Sequence, residues 1–191
     1  EARDAIETNF GLAVELLDKI VLLRAGKSVQ DEGSVAQFGT PMDLYHRPQN
    51  LFVAEFIGSP KMNILPGKLL RAEPDHAVVE VHGEQIVAAV DARAASAGSS
   101  VSLGVRPEHL LEGEEGAGSA LHTSLRQMEL LGDTSLLYLD VAPDAPMATL
   151  RLEGHAPHGK GERVTLRLRP EHCHLFDSQG KAFRRTVELP T

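Results

Sequence analysis

Two nine-residue stretches of this chain share one layout: VSLGVRPEH at 101–109 and VTLRLRPEH at 164–172. In each, a valine, a hydroxyl residue, a leucine, any residue and an aliphatic residue lead into Arg-Pro-Glu-His. The alternation is that of a strand with one buried face. Proline then ends the pairing, because it has no N–H to donate and biases the arginine before it to extended backbone. A strand and its exit used twice predict a duplicated β unit.

The surrounding sequence fits that expectation. From Asn63 onward come short apolar runs separated by Gly, Pro and Asp: ILPGKLL, AVVEVHG, QIVAAV, SVSLGVRP, LHTSLRQMEL, SLLYLDV, MATLRLEG and RVTLRLRP. Many short strands at close spacing predict a small barrel or sandwich over residues 63–191. The texture before that point differs, so a domain boundary falls near residue 62. Residues 3–17 carry Ile6, Phe10, Ala13, Val14 and Leu17 at helical spacing. KIVLLRAG (19–26) reads as a buried strand and SVAQFG as a short returning one. Thr40-Pro41-Met42-Asp43 is a helix start, with a cap, a proline at the first turn and an acid placed for a capping box. A second helix is expected from about Gln49, with Phe52, Val53, Phe56 and Ile57 on its apolar face and Gly58 as its stop.

Composition narrows the partners. The formal net charge is −8 over 191 residues. With no Lys/Arg cluster, nucleic acid is not an expected partner. Aromatic residues are 4% of the chain and tryptophan is absent, so the core must be aliphatic. A single cysteine, Cys173, cannot form an internal disulfide, which fits a reducing cytoplasm. No apolar run is long enough to span a bilayer, and the first residues lack a signal-peptide layout.

Several constellations invite a chemical reading. Gly26-Lys27-Ser28 follows an apolar strand, like the end of a phosphate-binding loop. The motif's first glycine would be Val21, and VQDEGS does not open a helix, so a chance match is expected. His172 and His174 would share a face on a strand, but two ligands do not complete a zinc site. Glu108 with His109, or Glu171 with His172, could serve as acid and base. Adjacent strand residues point to opposite faces, which favours a strand exit with Arg and Glu outside. GHAPHGKG, with His155 and His158, reads as a solvated turn. Glu112, Glu114 and Glu115 read as an exposed acidic loop. No catalytic, cofactor-binding or metal residue is predicted.

FVAEFIGSPKMNILPG (52–67), SLGVRPEHLL (102–111) and RLRPEHCHLFDSQGKAFRR (167–185) closely resemble the C-terminal part of the ATP-binding subunits of carbohydrate ABC importers, the maltose/maltodextrin type above all. DKIVLLRAG (18–26) and QFGTPMDLYHRPQN (37–50) resemble the segment leading out of that family's ATPase domain. The resemblance runs from about Asp18 to about Arg185. It implies a mainly β chain. Residues 1–62 would be an α/β remnant of the ATPase domain, and residues 63–191 an OB-type TOBE regulatory barrel with two similar halves. It also implies a second copy of the chain, permease subunits, a transcription activator and a phosphotransferase protein as partners. The assembled subunit would sit on the inner face of the cell membrane. The regulatory or dimer interface is expected around Arg106, Glu108, His109, Arg169, Glu171, His172, Phe176, Asp177 and Gly180.

Departures from the family pattern bear on catalysis. The family's P-loop, signature and Walker B segments have no counterpart here, and Thr8 stands where its switch histidine would fall. KSVQDEG (27–33) resembles an insertion. The ATP and magnesium of the full-length family are therefore not expected to bind this chain. Two other readings remain open: a barrel that senses an oxyanion or a sugar, and a subunit of a glycerol-phosphate or multiple-sugar importer.

Overall fold

The computed structural model describes residues 19–24, 33–113 and 118–187. The amphipathic stretch 3–17, the Gly26-Lys27-Ser28 loop, Glu114 and Glu115 lie outside them. The chain divides into two compact units. One runs up to Met62 and takes in Gln179–Ala182; the other holds Asn63–Ser178 and continues from Phe183. The second domain was expected to run unbroken from 63 to 191. Instead the segment with Gly180 returns to the first unit, where the Gly180 carbonyl accepts from Leu51 N–H at 2.8 Å and Lys181 bridges Asn50.

In the first unit, β1 (Ile20–Leu23) pairs antiparallel with β2 (Val35–Gly39). Helix α1 (Pro41–His46) opens with the anticipated capping box: Thr40 Oγ1 accepts from Asp43 N–H at 3.1 Å, and Asp43 Oδ2 accepts from Thr40 N–H at 3.0 Å. The Thr40 hydroxyl also donates to Asp43 Oδ2 at 2.7 Å; this bond first, and the Thr40 N–H bond second, hold the Asp43 carboxyl below its usual range. Helix α2 (Leu51–Phe56) is capped by Asn50 Oδ1, which accepts from Val53 N–H. Buried Gln37 joins the two helices, donating to the Arg47 carbonyl and accepting from Gln49 N–H. Leu22, Ala36, Leu44, Tyr45, Val53 and Ile57 form the core. The strand expected to be buried is only half so. Leu22 points inward, while Val21 and Leu23 face outward opposite the equally exposed Phe38 and Val35.

The second unit is built from two five-stranded antiparallel sheets. The first contains β3 (Asn63–Ala72), β4 (Ala77–Val81), β5 (Glu84–Ala88), β7 (Ser100–Val105) and β13 (Cys173–Phe176). The second contains β8 (Leu111–Glu112), β9 (Ser119–Leu130), β10 (Thr134–Asp140), β11 (Ala148–Glu153) and β12 (Arg163–Leu168). A short pair joins β6 (Val90–Asp91) to β14 (Arg184–Arg185). Strand order is β13-β7-β3-β4-β5 in one sheet and β8-β12-β9-β10-β11 in the other. Alternating inward residues such as Leu65, Leu69, Val101, Leu103, Leu121, Leu125, Val164 and Leu166 fill one aliphatic core. The β4–β5 hairpin turns on His82 and Gly83, both with positive φ, as a two-residue turn between right-twisted strands requires.

The sheets are copies of each other in register. Leu103 pairs Leu65 as Leu166 pairs Leu121, and Val101 pairs Gly67 as Val164 pairs Thr123. A bulge follows Leu69 in β3 and another follows Leu125 in β9, at matching places. The last strand of each set is exchanged. β8 leaves the first repeat and pairs with β12 of the second, Leu111 opposite Arg167. β13 leaves the second repeat and pairs with β7 of the first, His174 opposite Gly104. Each first strand also reaches across. Asn63 of β3 bonds both backbone groups of Thr149 on β11, its Nδ2 to the carbonyl at 2.9 Å and its Oδ1 from N–H at 2.6 Å. Ser119 Oγ of β9 accepts from Val87 N–H on β5 at 2.9 Å. Thr149 and Val87 are counterparts on the edge strands. A polar side chain thus satisfies edge-strand backbone that would otherwise be buried without partners.

Asn63→Ala removes two bonds to a buried edge strand and leaves both Thr149 groups unsatisfied. Urea denaturation should show a loss of about 2–3 kcal/mol, against about 1 kcal/mol for Ser119→Ala, which removes one bond. Equal losses would contradict this account of the edges.

Candidate functional site

Both RPEH segments form the same local structure. Each strand ends just before its arginine, and the three residues after the arginine make a single 3-10 turn, Pro107–His109 and Pro170–His172. In each, the histidine N–H donates to the arginine carbonyl at 3.0 Å. Proline suits the first position, where no donor is needed. The turns carry the chain between the sheets in opposite directions, β7 to β8 and β12 to β13. That brings them together: the His109 and His172 rings stack with centroids 4.2 Å apart and planes 28° apart.

The proton on one ring can be assigned. Arg169 Nη2 lies 2.7 Å from His172 Nε2. A guanidinium only donates, so Nε2 must accept and His172 is the neutral Nδ1–H tautomer. Arg169 Nε also lies 3.7 Å from Glu171 Oε1. Arg185 donates to the Glu171 carbonyl. A neutral ring stacked on its counterpart and bonded to a cation positions two turns. It is a poor general base, because its lone pair is already engaged.

The adjoining thiol is no nucleophile either. Cys173 is fully buried and donates to the Arg169 carbonyl at 3.4 Å. Burial pushes its pKa up to about 12, so the thiolate is absent at neutral pH. The two histidines expected on one strand face are separated: His172 sits in the turn, and His174 on β13 is buried beside Phe176. Among the described residues, no group of three or more His, Cys, Asp or Glu side chains is arranged to hold a metal.

Other expected positions need correction. Arg106 was placed outside, but it is 1% exposed, and burial draws its guanidinium down to about 9. It is among the largest fully buried side chains of the described residues, and stands between β7 and the first 3-10 turn. Phe176 is also fully buried, so neither belongs to a surface of this unit. Glu108, His109, Arg169, Glu171, His172 and Asp177 are half-buried and do reach its surface. Gly180 lies in the first unit.

One site was missed. His158, expected in a solvated turn, has a side chain only 9% exposed. Its Nε2 lies 3.0 Å from Glu112 and its Nδ1 3.1 Å from Glu162. Burial alone would lower its pKa, but hydrogen bonds and charge from Glu162 and Glu112 outweigh that and raise it. Glu162, four residues on, was a visible partner. Glu112 becomes one only once β8 is known to lie against β12.

Cys173 should resist a thiol reagent at pH 8 in the native protein and react within minutes in denaturant. Labelling of the folded chain at the rate of a free thiol would refute the buried junction.

Comparison with known proteins places this architecture. Residues 58–110 match the MalK OB fold domain, and residues 103–176 match the TOBE domain. The maltose/maltodextrin import ATP-binding protein MalK of Salmonella typhi is 38% identical over 179 residues, 93% of this chain and 46% of that protein. Its counterpart in Shigella flexneri is 38% identical over 181 residues, 93% of this chain and 47% of that protein. The cytoplasmic molybdate-binding protein ModG superposes with a TM-score of 0.48 at 16% identity, over 59% of this chain and 94% of that one. The chain spans about half the length of the curated relatives it matches. Residues 58–176 thus belong to the MalK OB fold and TOBE domain families, within a chain homologous along nearly all its length to about half of a maltose/maltodextrin import ATP-binding protein.

Proposed function

We propose that this chain is the regulatory and dimerisation part of the ATP-binding subunit of a maltose-type carbohydrate importer. The observation that carries the reading is the match of 93% of the chain to MalK relatives, together with the MalK OB fold and TOBE domains it contains. ATP and magnesium would be held by the half of those relatives that this sequence does not span. The residues present do not fit that role. Gly26-Lys27-Ser28 lacks the first glycine of a phosphate loop, and no metal-holding cluster exists among the described residues.

The second unit suits a module that transmits rather than catalyses. Its turns are stacked, its edges are pinned, and its one thiol is inert. A body of this kind couples partners by presenting surfaces whose complementarity differs between arrangements of the whole assembly. A partner that prefers one arrangement shifts the population toward it by its differential affinity. Half-buried Glu108, Glu171 and Asp177 would supply the charged part of such a surface. Its occupants would be a second copy of the chain, a transcription activator and a phosphotransferase protein. The permease subunits would be reached through the ATPase half, and the assembled subunit would then sit on the inner face of the membrane. No helix among the described residues is long and apolar enough to cross a membrane.

Two measurements test the reading together. Calorimetry with Mg-ATP should give no binding heat, and light scattering at high micromolar concentration should give the mass of a dimer. A strictly monomeric chain would remove the dimerisation role, and ATP binding would remove the division of labour.

A further inference from the structure

We propose that the contact of His158 with Glu112 and Glu162 is a proton-operated latch on β8, the exchanged strand that closes the second sheet. The two exchanged strands are not held equally. β13 pairs with β7 at four positions, Cys173 to Phe176 opposite Val105 to Ser102. β8 pairs with β12 at two, Leu111 and Glu112 opposite Arg167 and Leu166. One further backbone bond follows, from Gly113 N–H to the Thr165 carbonyl at 3.1 Å. So short an edge strand leaves little backbone pairing to hold it in place. His158 adds a side-chain tie at the end of that strand, since Glu112 is its last residue.

The tie needs a proton on each ring nitrogen. Nε2 faces Glu112 and Nδ1 faces Glu162, so both carboxylates are served only by the imidazolium. A neutral ring has one N–H, and whichever carboxylate then meets the lone pair is repelled. Glu162 keeps a second anchor, because its Oε2 accepts from Gly159 N–H at 2.8 Å. Glu112 has no such bond among those described for it, so β8 is the side that is released. The other charged groups of the loop, β8 and β12 are His155, Lys160, Arg163 and Arg167. β9, bonded to the loop through Leu125, carries His122, Arg126 and Glu129. Among the described residues, the carboxylates whose hydrogen bonds and charge act on His158 are Glu162 and Glu112.

The direction follows from linkage. The folded chain holds the His158 proton more tightly than an unfolded histidine near 6.5 does. The latch is therefore complete below about 6.5 and is lost as pH rises through the raised folded value. The inference does not depend on the proposed transport role. It concerns a strand whose state sets the shape of the surface around the first RPEH turn.

NMR on the full chain tests it. The His158 ring should titrate above 6.5. Across that midpoint the protection factor of the Gly113 amide, corrected for intrinsic exchange, should fall about fivefold, the scale of one lost net hydrogen bond. Amides of β13 should not change. Glu112→Gln should lower the midpoint and abolish the step, and His158→Gln should leave Gly113 weakly protected at every pH. A His158 midpoint at or below 6.5, or equal Gly113 protection on its two sides, would overturn the latch.

Discussion

The exchange of β8 and β13 is the constraint on which the rest of the second unit depends. Each RPEH turn carries the chain out of the sheet it has just built and into the other. Neither sheet is complete without a strand from the other repeat. Edge backbone follows the same logic, with Asn63 serving Thr149 and Ser119 serving Val87 across the repeats. An unpaired edge is costly when buried and a pairing hazard when exposed. Reciprocal closure removes both difficulties for two small sheets that could not each enclose a core.

That closure explains where the polar groups sit. The turns meet because the crossings run in opposite senses, so their histidines stack and one of them must be neutral to accept from Arg169. The arginines at the two crossings differ: Arg106 is fully buried, whereas its counterpart Arg169 is half-buried. A duplicated acid–imidazole pair in this setting fixes two corners. Part of each turn reaches the surface around those corners. That surface carries half-buried acids on both repeats, and beside the first turn runs the more lightly held β8. The two halves are similar, but their exchanged strands are unequally fastened, by four paired positions for β13 and two for β8.

Much of this was legible in the sequence. The RPEH repeat announced a duplicated β unit, and the capping box at Thr40 and Asp43 announced α1. Strand positions followed from alternation, since inward residues such as Leu121, Thr123 and Leu125 recur at period two. The full extent of the duplication was hidden, because counterparts need only do the same structural job. Gly67 and Thr123 hold equivalent places. At Gly67 a Cβ would lie 2.7 Å from Val79 Cγ1 and 2.8 Å from the Glu80 carbonyl. At Thr123 the hydroxyl donates to the Val164 carbonyl at 2.6 Å. Burial of Arg106 was misread because its charge and its position beside a proline suggested an exit to water, and burial of Phe176 because it ends its strand. The His158 pairing was missed because its second carboxylate comes from a strand that period alone cannot place.

The claim that the two repeats form one structural unit can be measured directly. In a urea titration followed by two-dimensional NMR, amides of Val79 in β4 and Leu137 in β10 report the two sheets separately. Reciprocal exchange predicts that both lose their native signals at one midpoint with one slope. Two separated transitions, with either sheet persisting after the other has melted, would contradict it.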